Sequence, residues 1–270
     1  MLSCSIVNSV HERGEAMLKS NRWIIADVDG CLAPEESIAW DAELFGRVAR
    51  LSHEASQGRG PIPPITLCSG RPQPYLEVLM KLLDVRAPVI CENGAVFYTL
   101  HDNTSAWGPG VTEEKILGLR ALRAFIETRL LLEYPQAVIQ FGKEAQISIF
   151  SEQPGIFPEL KVRIEAFCAE NGGPRVLLTV SHYYLNVSLD GVDKGSALRV
   201  LLEKLGIERD GAIGIGDTEG DLPLRQNVGL FACPANAVPA IREVSDYVSP
   251  YPTVEGVLDI LAQPFCGRMK

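Results

Sequence analysis

The chain has 270 residues, 46% of them hydrophobic, with a formal net charge of −9 at pH 7. That length and apolar content suit one large domain, or a domain carrying a substantial insertion, and exclude a disordered chain. The acidic balance argues against a nucleic-acid partner, which needs clustered Lys and Arg to displace counterions from phosphates. The seven cysteines show neither CxxC pairs nor the dense spacing of a secreted disulfide scaffold, so a reducing, cytoplasmic interior is expected. Residues 1–20 include Glu12, Arg13 and Glu15 and no continuous apolar block, so neither a signal peptide nor a membrane span is expected.

In chain order, residues 5–19 have the composition of a leading helix, with irregular apolar spacing. Trp23-Ile24-Ile25-Ala26 then runs straight into Asp27-Val28-Asp29-Gly30, the pattern of a strand buried on both faces that stops in a turn. Residues 40–56 carry Trp40, Leu44, Val48 and Leu51 on one helical stripe. A Gly/Pro-rich connector at 58–64 leads to a second buried strand at 65–68, ending in Ser69-Gly70-Arg71-Pro72, and to a helix at 73–84. A third strand at 88–91 ends in Glu92-Asn93-Gly94. This alternation predicts a doubly wound parallel α/β sheet with right-handed crossovers. From about 98 the pattern changes to a helix at 112–133, strands at 137–142 and 146–151, a helix at 156–171, and strands at 176–180 and 183–189, which predicts an inserted α+β unit. The parallel pattern then resumes. Asp193-Lys194-Gly195 opens a helix running to 205, an apolar run at 212–216 ends in Asp217, and strands near 228–233 and 247–248 alternate with helices at 237–243 and 253–262. The expected division is a core of 1–97 and 190–270 and an inserted unit of 98–189.

Parallel strands place their carboxyl ends on one edge, where open α/β sheets bind ligands. Asp27, Asp29, Ser69, Asn93 and Asp217 all fall at such ends. Each alone is an ordinary turn residue; their repeated placement is what points to a site. Carboxylates crowded at roughly 5 Å, with an effective dielectric near 20, repel by about 3 kcal/mol per pair, and a divalent cation removes that repulsion. All-oxygen ligation favours Mg2+ over zinc, and none of the four histidines sits at a predicted strand end. A cation beside a free carboxylate suits phosphoryl transfer on a small phosphorylated metabolite. In that chemistry Asp27 attacks phosphorus, and Asp29 protonates the leaving alcohol and then takes a proton from water. Ser69 and the Gly70 amide hold phosphate oxygens, and Lys194 neutralises them. Asp217 is a metal ligand, and Asp221 either binds the metal or orients its water. Arg71 and Asn93 adjoin strand ends and are further substrate-binding candidates, although Arg71 is equally suited to sealing the interface with the inserted unit. Arg123, Lys143, Lys161, Arg163, His182 and Tyr183 are the polar side chains of that unit that either touch substrate or are simply solvated.

Taken together, Asp27-Val28-Asp29-Gly30, Ser69-Gly70-Arg71, Glu92-Asn93-Gly94-Ala95, Asp193-Lys194-Gly195 and Gly216-Asp217-Thr218-Glu219-Gly220-Asp221 resemble the ordered motifs of haloacid dehalogenase-like phosphatases. The insertion is similar to the type IIB cap of sugar-phosphate phosphatases. The resemblance implies a cap that closes over the phosphate site and selects the leaving group, with metal held by Asp27, the main-chain carbonyl of Asp29, and Asp217. Two positions depart from the pattern: Cys31 stands where Thr is usual, and Gly220 where Asn commonly supports the metal. A phosphomutase passing the same aspartyl phosphate to a sugar hydroxyl is the nearest enzymatic alternative, and a non-catalytic sugar-phosphate sensor the alternative from another class. A cysteine phosphatase is excluded because no cysteine is followed by Arg after five residues. A dinucleotide site at Gly214-Ile215-Gly216 is disfavoured by Glu219 in the third glycine position.

Overall fold

The computed structural model describes residues 22–34, 38–181 and 183–267; the expected helix at 5–19 and the candidate His182 lie outside them. The first strand, β1 (Trp23–Ala26), is buried on both faces and lies in the middle of a parallel sheet. It pairs on one side with β2 (Ile65–Leu67) and on the other with β10 (Ala212–Ile215). β11 (Leu230–Cys233) and β12 (Tyr247–Val248) complete the sheet in the order β12-β11-β10-β1-β2. Period-two alternation divides β1 between two cores. Ile24 and Ala26 pack with helices α1 (Ala42–Ser56), α2 (Gln73–Leu83) and α8 (Thr253–Ala262). Trp23 and Ile25 face α5 (Lys194–Leu205), α6 (Leu222–Arg225) and α7 (Pro239–Val244). The doubly wound expectation is borne out.

Strand β3 (Val89–Cys91) has two partners. It meets the end of β2 through a single parallel bridge between Cys68 and Ile90. It then turns into an antiparallel sheet with β4 (Val96–Thr99) and β5 (Thr104–Trp107). The sequence carries no mark of this hairpin, because β5 is exposed at every position and so lacks the apolar alternation of a half-buried strand.

The insertion is an antiparallel sheet of β6 (Ala137–Ile139), β7 (Gln146–Ser151), β8 (Val176–Ser181) and β9 (Tyr184–Leu189), in the order β6-β7-β9-β8. α3 (Glu113–Phe125), continued by a wider π turn at Ile126–Leu130 and a last turn at Leu131–Glu133, packs with α4 (Phe157–Glu170). Phe125 and Phe167 stack with ring centroids 4.3 Å apart. Ile147, Ile149, Leu185 and Val187 join this apolar layer. Alternation therefore sends Gln146, Ser148, Asn186 and Ser188 to the opposite face of the sheet. Gln146, Ser148 and Ser188 are nonetheless buried, which marks that face as covered by something other than solvent.

Ile213 is fully buried at the middle of β10. Ile213→Ala is expected to remove about 2–5 kcal/mol of stability, read as a lower urea midpoint with an unchanged m value.

Candidate active site

The parallel register fixes the centre of the site. Ala26 lies opposite Ile215, and the Asp27 amide donates to the Ile215 carbonyl at 2.9 Å, so the chain segments carrying Asp27 and Asp217 leave the sheet side by side. Asp27, Cys31 and Asp217 are buried, and each offers a ligand atom within 4.8 Å of the other two. Gly30 makes this approach possible. Its φ is +75°, and a Cβ there would lie 2.0 Å from Asp217 Oδ2. Cys31 Sγ is 4.0 Å from Asp217 Oδ1. Burial, reinforced by Asp217 and Asp27, holds the Cys31 thiol well above its usual range, so it stays protonated and offers no thiolate. The charged donors are therefore carboxylate oxygens, a set suited to a hard cation such as Mg2+.

Lys194 opens α5, whose N-terminus is capped reciprocally by Asp193 and Ser196. Its ammonium is 2.9 Å from Asp27 Oδ1 and 2.7 Å from Asp221 Oδ1. Burial opposes that charge, but Asp221 and Asp27 outweigh it and keep Lys194 well above its usual range. Asp27 is pushed up to about 7 by burial, with Lys194 opposing and Asp221 adding to the rise. Asp221 Oδ2 accepts from the amides of Asp217 (3.0 Å) and Thr218 (3.1 Å). Both Asp221 oxygens are thus engaged in shaping the loop and holding Lys194, and Asp221 stands outside the group formed by Asp27, Cys31 and Asp217.

Asp29 faces Arg71 in a forked pair, with Nε to Oδ2 at 2.8 Å and Nη2 to Oδ1 at 2.6 Å. The Arg71 guanidinium also lies over the Tyr75 ring, 5.1 Å from its centroid. Ser69 is fully buried; its Oγ accepts from the Arg71 amide at 3.1 Å and its carbonyl from the Asn93 amide at 3.0 Å. Gly70 lies tightly against the Asn93 side chain. Glu92 and Asn93 both adopt left-handed backbone, with φ of 51° and 55°. Asn tolerates that conformation and Glu does so at a cost.

Asp27, Asp29, Gly70, Arg71, Asn93 and Lys194 line one cleft of about 760 Å3, and Gln140, Lys143, Thr179, Tyr184, Asn186 and Ser188 line it from the insertion. Of the other candidates in that unit, Arg163 pairs with Glu133 on the surface, and Arg123 holds backbone carbonyls. Lys161 and Tyr183 do not line the cleft. Two features escaped the sequence. Glu92 reaches across to the insertion, accepting from the amides of Glu144 (3.0 Å) and Ala145 (2.7 Å). The polar face of β7 and β9 was the other, although alternation of Gln146, Ser148, Asn186 and Ser188 with Ile147, Ile149, Leu185 and Val187 was available as a signal.

The α/β core thus gathers carboxylates and a lysine at its carboxyl edge, and the α+β insertion faces them across the cleft. The profile of the haloacid dehalogenase-like hydrolases matches residues 138–261. A curated phosphoglycolate phosphatase of Methanospirillum hungatei is 27% identical over 90% of this chain and 97% of its own. One from Methanopyrus kandleri is 28% identical over 88% and 94%. Among solved structures, a Thermoplasma acidophilum protein superposes with a TM-score of 0.65 at 24% identity, over 89% of this chain and 96% of its own. A haloacid dehalogenase-like hydrolase from Bacteroides thetaiotaomicron gives 0.64 at 18%, over 88% and 99%. Over residues 138–261 the chain is thus similar to the haloacid dehalogenase-like hydrolases, whose fold it shares, and its antiparallel insertion is like a type IIB cap.

Gly30 and Gly58 both have positive φ, +75° and +73°, but a Cβ at Gly58 meets nothing within 4 Å. Gly58→Ala is expected to lose only the backbone preference, about 1 kcal/mol, whereas Gly30→Ala adds a clash with Asp217. Thermal denaturation of the two variants should show the larger drop for Gly30→Ala, and equal drops would reject the contact.

Proposed function

We propose that this enzyme is a Mg2+-dependent phosphatase that releases phosphate from a small phosphomonoester through an aspartyl phosphate on Asp27, with residues 98–189 as the cap over a core of 1–97 and 190–270. The observation that carries this reading is the buried pairing of Asp27 with Lys194 beside Asp217. Mg2+ would be held by Asp27, the Asp29 carbonyl and Asp217, where it would supply charge neutralisation for the phosphate and the nucleophile. Asp27 Oδ attacks phosphorus, a P–O bond forms to the carboxylate, and the ester P–O bond breaks with its electron pair on the leaving alcohol oxygen. Asp29 delivers the proton to that oxygen. Water then attacks the aspartyl phosphate while Asp29 takes its proton, and inorganic phosphate leaves with Asp27 restored.

Lys194, Ser69 and the Gly70 amide are suited to neutralise and position phosphate oxygens, and Asn93 and Arg71 to frame them. Asp221 acts through Lys194, holding the ammonium where Asp27 needs it. Arg71 now occupies both oxygens of Asp29. An anionic substrate offers that guanidinium another partner and so frees the acid for proton transfer. The similarity to phosphoglycolate phosphatases of Methanospirillum hungatei and Methanopyrus kandleri favours a short phosphorylated hydroxy acid of the phosphoglycolate type over a hexose phosphate. A cytoplasmic setting agrees with the six described cysteines, all free thiols. Among the described residues no helix is long and apolar enough to cross a membrane.

Purified protein is expected to release phosphate from p-nitrophenyl phosphate and from 2-phosphoglycolate with Mg2+, to stop in EDTA and to recover when Mg2+ is restored. Asp27→Asn should lower turnover by at least about a thousandfold, as loss of a nucleophile does elsewhere. Undiminished phosphate release by Asp27→Asn would end the aspartyl-phosphate reading.

A further inference from the structure

Lys143 lies on the short loop between β6 and β7 and lines the cleft from the cap side. It is only 7% exposed. Its ammonium donates to Gln146 Oε1 at 3.0 Å and to Ser148 Oγ at 2.6 Å. Both partners are neutral, and among the described residues no carboxylate lies within 4 Å of the ammonium. A lysine carries three donor hydrogens, so one remains beyond these two bonds. Burying a cation without an ion-pair partner is unfavourable, and such groups concentrate where a ligand supplies the missing charge.

The loop carrying Lys143 is held from two sides. The Arg123 guanidinium donates to the carbonyls of Lys143 (2.9 Å) and Gln146 (3.3 Å). The buried Glu92 carboxylate accepts from the amides of Glu144 and Ala145. A loop pinned through its carbonyls by the cap and through its amides by the core holds Lys143 at a set place over the cleft. The neighbouring groups extend the same polarity. Ser148 Oγ donates to Asn186 Oδ1 at 2.6 Å, which leaves the amide nitrogen as what Asn186 has to offer, and Gln146 Nε2 donates to Ser188 Oγ at 2.9 Å. Lys143 is thus the one cation that the cap contributes to a lining otherwise made of neutral hydroxyl, amide and apolar side chains, among the described residues.

We propose that Lys143 is a specificity-determining residue, its ammonium receiving the carboxylate of a phosphorylated hydroxy acid whose phosphate lies at Asp27. This rests on the phosphatase reading and names the leaving group that the cap selects. An anion brought alongside Lys143 supplies the countercharge its burial lacks, so the site rewards a carboxylate and gives a neutral hydroxyl no comparable gain.

The groups that face Lys143 make its charge titratable near physiological pH. Burial lowers it from the ordinary lysine range to about 8, with Glu92 and Asp29 opposing the fall and Arg71 and Arg123 adding to it. The ammonium is present below that pH and discharged above it, so preference for a carboxylate should be strong at pH 7 and fade as pH rises through 8.

The test compares kcat/KM for 2-phosphoglycolate with that for 2-hydroxyethyl phosphate, its analogue with a neutral tail, after p-nitrophenyl phosphate has established phosphatase activity. Wild type is expected to favour the carboxylate by at least about tenfold, the lower end of what a hydrogen bond to a charged group contributes. Lys143→Met should collapse that ratio, mainly through KM for 2-phosphoglycolate, and abolish its decline above pH 8. Lys143→Gln, which keeps a hydrogen-bonding group without the charge, should do the same. A wild type indifferent to the carboxylate, or variants that slow both substrates equally with the ratio intact, would overturn the assignment while leaving the phosphatase standing. A wild type inactive even on p-nitrophenyl phosphate would remove the phosphatase reading and this one with it.

Discussion

A single buried ammonium allows the acids of this site to sit together. Lys194 contacts Asp27 and Asp221 at 2.9 and 2.7 Å. With an effective dielectric near 20, each contact is worth about 6 kcal/mol of attraction, against a burial penalty of several kcal/mol per ion. The balance is close, which is why the arrangement is better understood as specifying geometry than as adding stability. Asp221 shows the same logic. It is fully buried, holds Lys194 with one oxygen and gathers the amides of Asp217 and Thr218 with the other. One carboxylate thereby fixes both the lysine that serves Asp27 and the loop that presents Asp217.

The sheet supplies the rest of the convergence. Because β1 and β10 are parallel and in register from Trp23 opposite Ala212 to Ala26 opposite Ile215, the residues that follow each strand must emerge together whatever their separation along the chain. The approach is close enough that a Cβ at position 30 would have to displace the Asp217 carboxylate. At position 216 a Cβ would likewise strike the Asp221 side chain, at 2.5 Å. The glycines beside the aspartates are thus part of the packing that lets carboxylates meet, beyond any role in turning the chain.

This explains what could be read from the residues and what could not. The strands of the core are uninterrupted apolar runs ending in acids or small polar residues, so their positions and carboxyl-edge chemistry were visible at 23–26, 65–68, 88–91 and 212–216, although the last-but-one joins the parallel sheet by a single bridge only. Helix positions followed from apolar stripes and caps, as at Asp193 and Gly206. The partners inside the site were less visible, because a carboxylate's neighbours are set by rotamers and loop paths, which no periodicity encodes. Asp29 shows this: placed with Asp27 at the end of the first strand, it lies in a fork with Arg71 forty-two positions away. The same holds for Glu92, which reads as a turn residue beside Asn93 yet is buried and aimed at the cap. The exposed strand β5 was illegible for the opposite reason, since it buries nothing.

Glu92 also clarifies how cap and core are joined. Burial raises its carboxyl above the usual range even though the amides of Ala145 and Glu144 oppose that shift, so these hydrogen bonds do not fully offset the loss of water. Opening the cap would rehydrate the carboxylate and relieve that deficit, while closing it restores the amide contacts. The contact therefore aligns the loop of the insertion at a cost that leaves it only weakly held. The backbone around Glu92 ties this alignment to the core: its amide donates to the Arg71 carbonyl and that of Asn93 to the Ser69 carbonyl, at 3.1 and 3.0 Å. The strained turn after β3 thus carries the Ser69–Arg71 loop on one side and the loop of Lys143 on the other, and its left-handed residues are held in place by the two elements they align.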